Sequence, residues 1–342
     1  MSESRAEAWI HWHETGAVEV APGVHRIPLT LPMDGLRAVN VYAVRSADRL
    51  TLLDAGWAIE QAEDDLIDGL AELDLGLEHV TDFLVTHAHR DHYTMAAVLR
   101  RRLGARLTMG AAERINMAAL QSRDPWDEVP QSALLLRAGA PDLAERMRTF
   151  DAPFDRSDWP MPDTWVNDRA QLDLGGRELR AIHTPGHTQG HFVFHDEVNQ
   201  LLFTGDHVLP HITPSIGFEQ VVAASPLRDF LTSLHLLRAM PDAVMLPGHG
   251  PVGASVHERV DELLQHHDER LAATLTAVQK GAGTAHEVAR ALTWTGRGRR
   301  LEELDDFNQM LAILETYWHL EVIAERGRLR RVEAGDAVVY EL

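Results

Sequence analysis

The stretch Thr86-His87-Ala88-His89-Arg90-Asp91-His92 places four side chains able to ligate a metal within six residues. His87 and His89 stand two apart, so in an extended turn their imidazoles point the same way. Asp91 and His92 follow where the pattern predicts a helix start, and there they can face a second ion beside the first. A lone histidine is ordinarily structural; a cluster this dense is not. Three further stretches share one texture, a strand end, a glycine and a ligand: Pro185-Gly186-His187, Thr204-Gly205-Asp206-His207 and Pro247-Gly248-His249. The glycine lets the backbone turn sharply, so that one side chain projects into a shared cavity. The 342 residues contain no cysteine, which excludes thiolate ligands, a thiol nucleophile and disulfides together. Imidazole and carboxylate donors suit zinc, iron, manganese, cobalt or nickel. Two divalent ions about 3.5–4 Å apart share a water, lower its pKa toward 7 and polarise the oxygen of the bond under attack. The chemistry these residues predict is hydrolysis by a metal-bound hydroxide, with Asp91 able to accept a proton or steer the nucleophile.

Ligands so far apart in the chain need a scaffold that collects strand ends. Leu50–Leu53 reads as a short strand ending in Asp54-Ala55-Gly56, and Val80–Val85 as another ending in Thr86-His87. Asp91 to Leu103 reads as a helix closed by Gly104, and Arg106–Met109 as the next strand. From Ala111 to about Met147 the pattern is helical, divided by Pro130 and Pro141. The Pro- and Trp-rich stretch Asp151–Asp163 reads as an irregular loop, either a lid over the site or a surface excursion with a structural tryptophan. Strand texture returns at Leu179–His183, Phe192–His195, Leu201–Thr204 and Ala243–Leu246. Strands that run into glycine-flanked polar turns are where α/β enzymes place ligands. Ser255 to Lys280 is one long helix, Thr284 and Glu287 form a predicted capping box, a further helix spans about Leu304–Arg326, and a hairpin closes the chain. Surface-facing histidines such as His11, His13, His266 and His267 show no partner pattern and are read as solvated.

The formal net charge of −20 repels nucleic acid phosphates unless a local basic stripe overrides it. Residues 284–342 hold eight arginines against eleven acids, a net of −3, which opposes DNA binding by the tail. Its two small basic groups are Arg297, Arg299 and Arg300, then Arg326, Arg328, Arg330 and Arg331. No stretch approaches the roughly 20 apolar residues of a membrane span. The first residues lack a basic start followed by an apolar run. The expected address is the cytoplasm.

Taken together, the four ligand-bearing stretches and the strand-end Asp54 in Leu52-Leu53-Asp54-Ala55-Gly56-Trp57 resemble the metallo-β-lactamase superfamily, over about residues 20–250. The resemblance implies an α/β fold, an αββα sandwich with the site at one edge of two facing sheets. It implies that His87, His89 and His187 hold one metal, that Asp91, His92 and His249 hold the other, and that Asp206 bridges them. Asp54 would support the ligand-bearing loop. The expected organisation is a hydrolase domain over 18–253, with a helical insertion at about 111–165, and a helical domain over 254–342. That tail resembles the winged-helix-like unit attached to a subset of these hydrolases, through Ala289–Trp294 and Phe307–Leu320, and is read as packing, a pocket wall or a homodimer element.

Departures from particular branches narrow the function. Secreted β-lactamases of the superfamily generally carry a signal peptide, lack the bridging aspartate and often use a cysteine ligand. Flavodiiron proteins usually have Glu where His89 stands and carry a flavodoxin domain, and the nucleic-acid-processing branch carries an inserted nuclease domain. The expected substrate is a small molecule with a carbonyl ester-like bond, a thioester or a lactone. The alternatives are a phosphodiesterase or ribonuclease using the same two-metal core, and a metal-stabilised DNA-binding regulator. His191 and His207 flank the ligands, as substrate contacts or as supports.

Overall fold

The structure, a computed structural model, describes residues 11–32, 35–46, 49–295 and 298–342. Arg297 and the first ten residues, on which the basic-loop and leader readings fall, lie outside the described residues. A seven-stranded sheet takes the order β1 (Val18–Ala21), β2 (Val24–Thr30), β3 (Ala38–Ser46), β4 (Arg49–Leu53), β5 (Val80–Val85), β6 (Arg106–Gly110) and β7 (Thr164–Val166). Its first four strands pair antiparallel, and β4 through β7 pair parallel. The five-stranded second sheet is built from β8 (Gln171–Asp173), β9 (Glu178–His183), β10 (Phe192–Asp196), β11 (Leu201–Gly205) and β12 (Val244–Pro247), with β11 and β12 parallel. Helix α1 (Glu60–Ala71) and α2 (Arg90–Leu103) belong to the first half of the chain. Then come α3 (Arg114–Ser122), α4 (Pro130–Arg137), α5 (Pro141–Met147), α6 (Pro226–Ala239), α7 (Val256–Gln279), α8 (Ala285–Ala291), α9 (Asp306–Glu325) and a hairpin of β13 (Arg330–Ala334) and β14 (Ala337–Glu341).

The period-two alternation of side chains along a strand decides the layering. On β10, Phe192 and Phe194 face Tyr42, Leu53 and Leu84 of the first sheet, whereas Val193 joins the helices behind. On β3, Tyr42 and Val44 lie between the sheets, while Val39, Val41 and Ala43 join Leu66 and Leu70 of α1 and Tyr93 and Ala96 of α2. The result is helix, sheet, sheet, helix, an αββα sandwich. Behind the second sheet, Leu234 of α6, Val260 and Leu263 of α7 and Ile313 and Trp318 of α9 share one core with Val193, Leu202 and Met245. The stretch read as irregular, 151–163, is fastened down. Trp159 is 3% exposed and stacks on Tyr93 with ring centroids 5.8 Å apart, which makes it a structural tryptophan of the first core.

Helix ends follow local chemistry. Ser255 caps α7 by accepting from Glu258 N at 3.1 Å, and the Thr284–Glu287 capping box starts α8 as the sequence predicts. Among the described residues no helix is long and apolar enough to cross a membrane.

One reading is corrected here. His267 is not solvated: it is fully buried, its ring centroid 5.3 Å from that of His319 and its Nδ1 3.2 Å from His319 Nε2. The burial comes from α9 packing over α7, a contact between residues 52 apart in the chain that the sequence of α7 does not reveal. His266 is half-buried and His11 exposed. Burial pushes His319 down to about 3. Because the folded value lies below the unfolded one of about 6.5, the unfolded chain takes up the proton first as pH falls, so stability is lost below about pH 6.5. Between pH 7 and pH 5 this one group should cost about 2 kcal/mol. His319→Gln should therefore flatten the acid limb of stability by that amount in urea unfolding at the two pH values; an unchanged limb would show that the buried pair does not carry it.

Candidate metal centre

The carboxyl ends of β4, β5, β9, β11 and β12 lie on one rim of the sandwich, and each releases its turn there. Phe192 N donates to Thr86 O at 3.0 Å and Asn40 Nδ2 donates to Pro247 O and Gly250 O at 2.9 Å each, which ties the two sheets together at that rim. All seven candidate ligands named from the sequence come together on it.

His87, His89 and His187 form one group. His187 Nε2 lies 3.2 Å from His87 Nε2 and 3.1 Å from His89 Nδ1. The opposite ring nitrogen of each is already committed. His87 Nδ1 donates to Thr86 Oγ1 at 2.9 Å, His89 Nε2 to Phe218 O at 2.6 Å and His187 Nδ1 to Ser215 O at 2.7 Å. Three lone pairs are thereby turned on one another, an arrangement that repels unless a cation sits among them.

Asp91, His92, His249 and Asp206 form the other group. His249 Nε2 lies 3.2 Å from Asp91 Oδ2 and 3.4 Å from Asp206 Oδ2, and His92 Nε2 lies 3.4 Å from Asp206 Oδ1 and 3.7 Å from Asp91 Oδ2. Asp206 Oδ2 is also 3.8 Å from His187 Nε2, so this carboxylate faces both groups. A Cβ on Gly248 would fall 2.4 Å from Asp206 Oδ1 and 2.8 Å from His92 Cε1, so only glycine allows this approach.

Asp54 braces the second group. Its Oδ2 accepts from His92 Nδ1 at 2.8 Å, and its Oδ1 accepts from Thr86 N at 2.9 Å and from the Thr86 hydroxyl at 3.0 Å. The same hydroxyl receives His87, so one carboxylate orients an imidazole of each group. Asp54 sits at φ +55, a left-handed conformation that Asp tolerates better than most residues. His191, which the sequence left as a substrate contact or a support, is a support: its Nε2 accepts from Asp206 N at 3.2 Å and its Nδ1 donates to Thr184 Oγ1 at 3.0 Å. His207 is buried against Phe230, 4.6 Å between ring centroids.

Burial, reinforced by the neighbouring imidazoles, holds His87 well below the ordinary histidine range and His187 down to about 3, so both are neutral. At His249 burial is outweighed by Asp206 and Asp91, which push it up to about 10, and His92 is raised well above its usual range in the same way by Asp206, Asp54 and Asp91. The carboxylates thus call for positive charge at this point, as protons or as a cation. His92 Nε2, His249 Nε2 and Asp206 Oδ1 are buried with no hydrogen-bond partner, and the donor atoms of each triplet (His87, His89 and His187; His87, His92 and Asp206; Asp91, His92 and His249) lie within 4.8 Å of one another. Donor type, orphaned atoms and spacing all fit divalent metal.

Toward solvent the site has an apolar rim. Phe218, whose carbonyl holds His89, packs 5.7 Å from Phe307 of α9 and 6.3 Å from Phe150, which is 38% exposed. Arg90, inside the ligand loop, is engaged by Asp151 at 2.9 Å and lies over Trp57. Sequence reasoning missed Glu113, Asn116 and Glu219, three buried polar residues behind the loops. Their types and spacing carry no local signal.

Residues 34–249 match the family model described as the metallo-beta-lactamase superfamily. The chain belongs to that superfamily. Its members are hydrolases that generally bind divalent metals. The metallo-beta-lactamase family protein TTHA1429 from Thermus thermophilus superposes with a TM-score of 0.76 at 29% identity, covering 94% of this chain and 99% of that one. The lactamase-like protein nscB of Aspergillus fumigatus is 24% identical over 319 residues, 89% of this chain and 78% of its own length. The atrochrysone carboxyl ACP thioesterase AgnL7 of Paecilomyces divaricatus is 27% identical over 245 residues, 72% of this chain and 60% of its own.

Proposed function

We propose that this metallo-beta-lactamase-fold chain is a two-metal hydrolase of a carbonyl ester-like bond, a thioester or a lactone, in a small molecule. The observation that carries this reading is Asp206, a carboxylate facing His92 and His249 on one side and His187 on the other. His87, His89 and His187 would hold one ion, Asp91, His92 and His249 the other, and Asp206 both, zinc being the first choice and iron or manganese the alternatives. Two ions so held supply an activated water and polarise the bond under attack. Asp91, 18% exposed at its side chain, is the ligand carboxylate most open to solvent and the one placed to accept the proton released as water attacks.

Two features favour a carbonyl over a phosphodiester. The rim beside His89 is aromatic, and Arg90, the arginine inside the ligand loop, is already paired with Asp151. The thioesterase name of AgnL7 agrees. In the tail, Arg330 is paired with Glu341, and Arg331 with Glu321 and Glu333, so these two arginines are already engaged by carboxylates. A screen of metal-loaded protein against acyl thioesters, lactones and bis(p-nitrophenyl) phosphate tests the reading. Turnover of a thioester or lactone is expected, with no duplex DNA shift in a gel titration at physiological salt. Turnover confined to the phosphodiester would transfer the assignment to the ribonuclease-like alternative, and tight sequence-specific DNA binding would transfer it to the regulator.

A further inference from the structure

Buried polar groups in a core cost more than apolar ones unless they bring something in return. Glu113, Asn116 and Glu219 are 0%, 2% and 6% exposed, and the hydrolytic reading gives none of them a task. Glu113 stands just beyond β6. Its Oε1 accepts from Ala88 N at 3.2 Å, the amide between His87 and His89, and from Thr188 Oγ1 at 2.5 Å, the hydroxyl next to His187. Its Oε2 accepts from Asn116 Nδ2 at 3.1 Å, and the same nitrogen donates to Glu219 Oε2 at 2.5 Å. Glu219 Oε2 also accepts from Gln189 N at 2.9 Å, and the carbonyl preceding Glu219 is the one that holds His89 Nε2. Asn116 Oδ1 accepts from Val221 N at 2.9 Å, which pins that loop from its other end. The contact is tight as well as polar: a Cβ on Gly190 would lie 2.4 Å from Glu113 N.

Three loops that carry or orient His87, His89 and His187 therefore meet at one buried knot. His92, Asp206 and His249 are braced elsewhere, through Asp54, His191 and Ala38 O respectively. We propose that Glu113, with Asn116 and Glu219, is a positioning residue that sets the spacing of His87, His89 and His187 and so controls the affinity of one metal site selectively. This rests on the two-metal reading above. Burial, and then the Glu113 carboxylate, push Glu219 up to about 8.

Cobalt(II) titration of metal-stripped protein tests this, with bound metal counted by elemental analysis and the visible absorbance read for each site. Wild-type protein should bind two ions. His249→Ala serves as the reference that weakens the other site and leaves the absorbance of the His87, His89 and His187 group. Glu113→Ala should lose that absorbance and bind close to one tight ion, with affinity at the affected site down roughly 10–100-fold. Glu113→Gln, which keeps an acceptor for Ala88 N, should recover part of it. Thr188→Val removes a single bond and should weaken the same site several-fold; it decides the matter if Glu113→Ala does not fold by circular dichroism. Two ions bound at wild-type affinity by the variants, or both sites weakened equally, would overturn the proposal. Wild-type protein that fails to bind two ions would overturn the two-metal reading and this proposal with it, whereas two ions bound without hydrolysis would sink the proposed function alone.

Discussion

Asp206→Ala is expected to lower kcat/KM on the best substrate of the screen by about a thousand-fold or more while leaving a folded chain. Asp206 offers one oxygen 3.4 Å from His92 Nε2 and the other 3.4 Å from His249 Nε2 and 3.8 Å from His187 Nε2. Its loss unlinks both donor sets at once, and polarisation by metal ions provides several kcal/mol of transition-state stabilisation, at about 1.4 kcal/mol per factor of ten. The sandwich survives because its cores lie behind the rim: Phe192, Phe194 and Phe203 between the sheets do not depend on Asp206. Steady-state kinetics with elemental analysis and circular dichroism on the same preparation would check this. A variant within tenfold of wild type would remove Asp206 from the chemistry.

The second expectation separates coordination from disturbance of the loop. His89→Ala should cost at least about a hundred-fold in turnover, since it deletes one of three imidazoles packed 3.1–3.2 Å apart around His187 Nε2 and removes the bond to Phe218 O. Arg90→Ala, the adjacent residue, should cost less than about tenfold. It gives up a partly exposed ion pair with Asp151 and a contact over Trp57, and such pairs are generally worth about 1 kcal/mol or less. Wild-type activity should vanish on chelation and return with added metal. Equal losses in the two variants, both still folded, would mean that the loop matters for a reason other than ligation.

What could be read in advance was whatever is local. His87 through His92 and the Gly-ligand turns at His187, Asp206 and His249 announce themselves because a strand end, a glycine and a donor must be neighbours in the chain to work. The strands behind them were legible because a short apolar run closed by a polar, glycine-bearing turn is a short-range pattern; β4, β5, β9, β10 and β11 start and stop within a residue or so of that reading. The Thr284 capping box is equally local. The sequence reading did not single out α1 and α6, and it put His267 in water, because the residue that buries it, His319, lies on another helix. Glu113 and Glu219 went unnoticed for the same reason. A glutamate becomes a brace only when the fold brings Ala88, Thr188 and Gln189 to it, and nothing in its neighbours along the chain says so.

The helices that end the chain share their apolar core with the outer face of the second sheet. Val193, Leu202 and Met245 have Ile313, Trp318 and Val260 as companions in one continuous apolar cluster. Cooperativity follows from such continuity. Backbone amides of α9 and of β10 and β11 should exchange with deuterium at similar, slow rates, opening only when the whole assembly opens. Protease resistance should extend to the last helix for the same reason. A chain cut after Gly253 would leave the aliphatic side chains on that face of β10, β11 and β12 turned to water, and it would precipitate before it could work as a smaller enzyme.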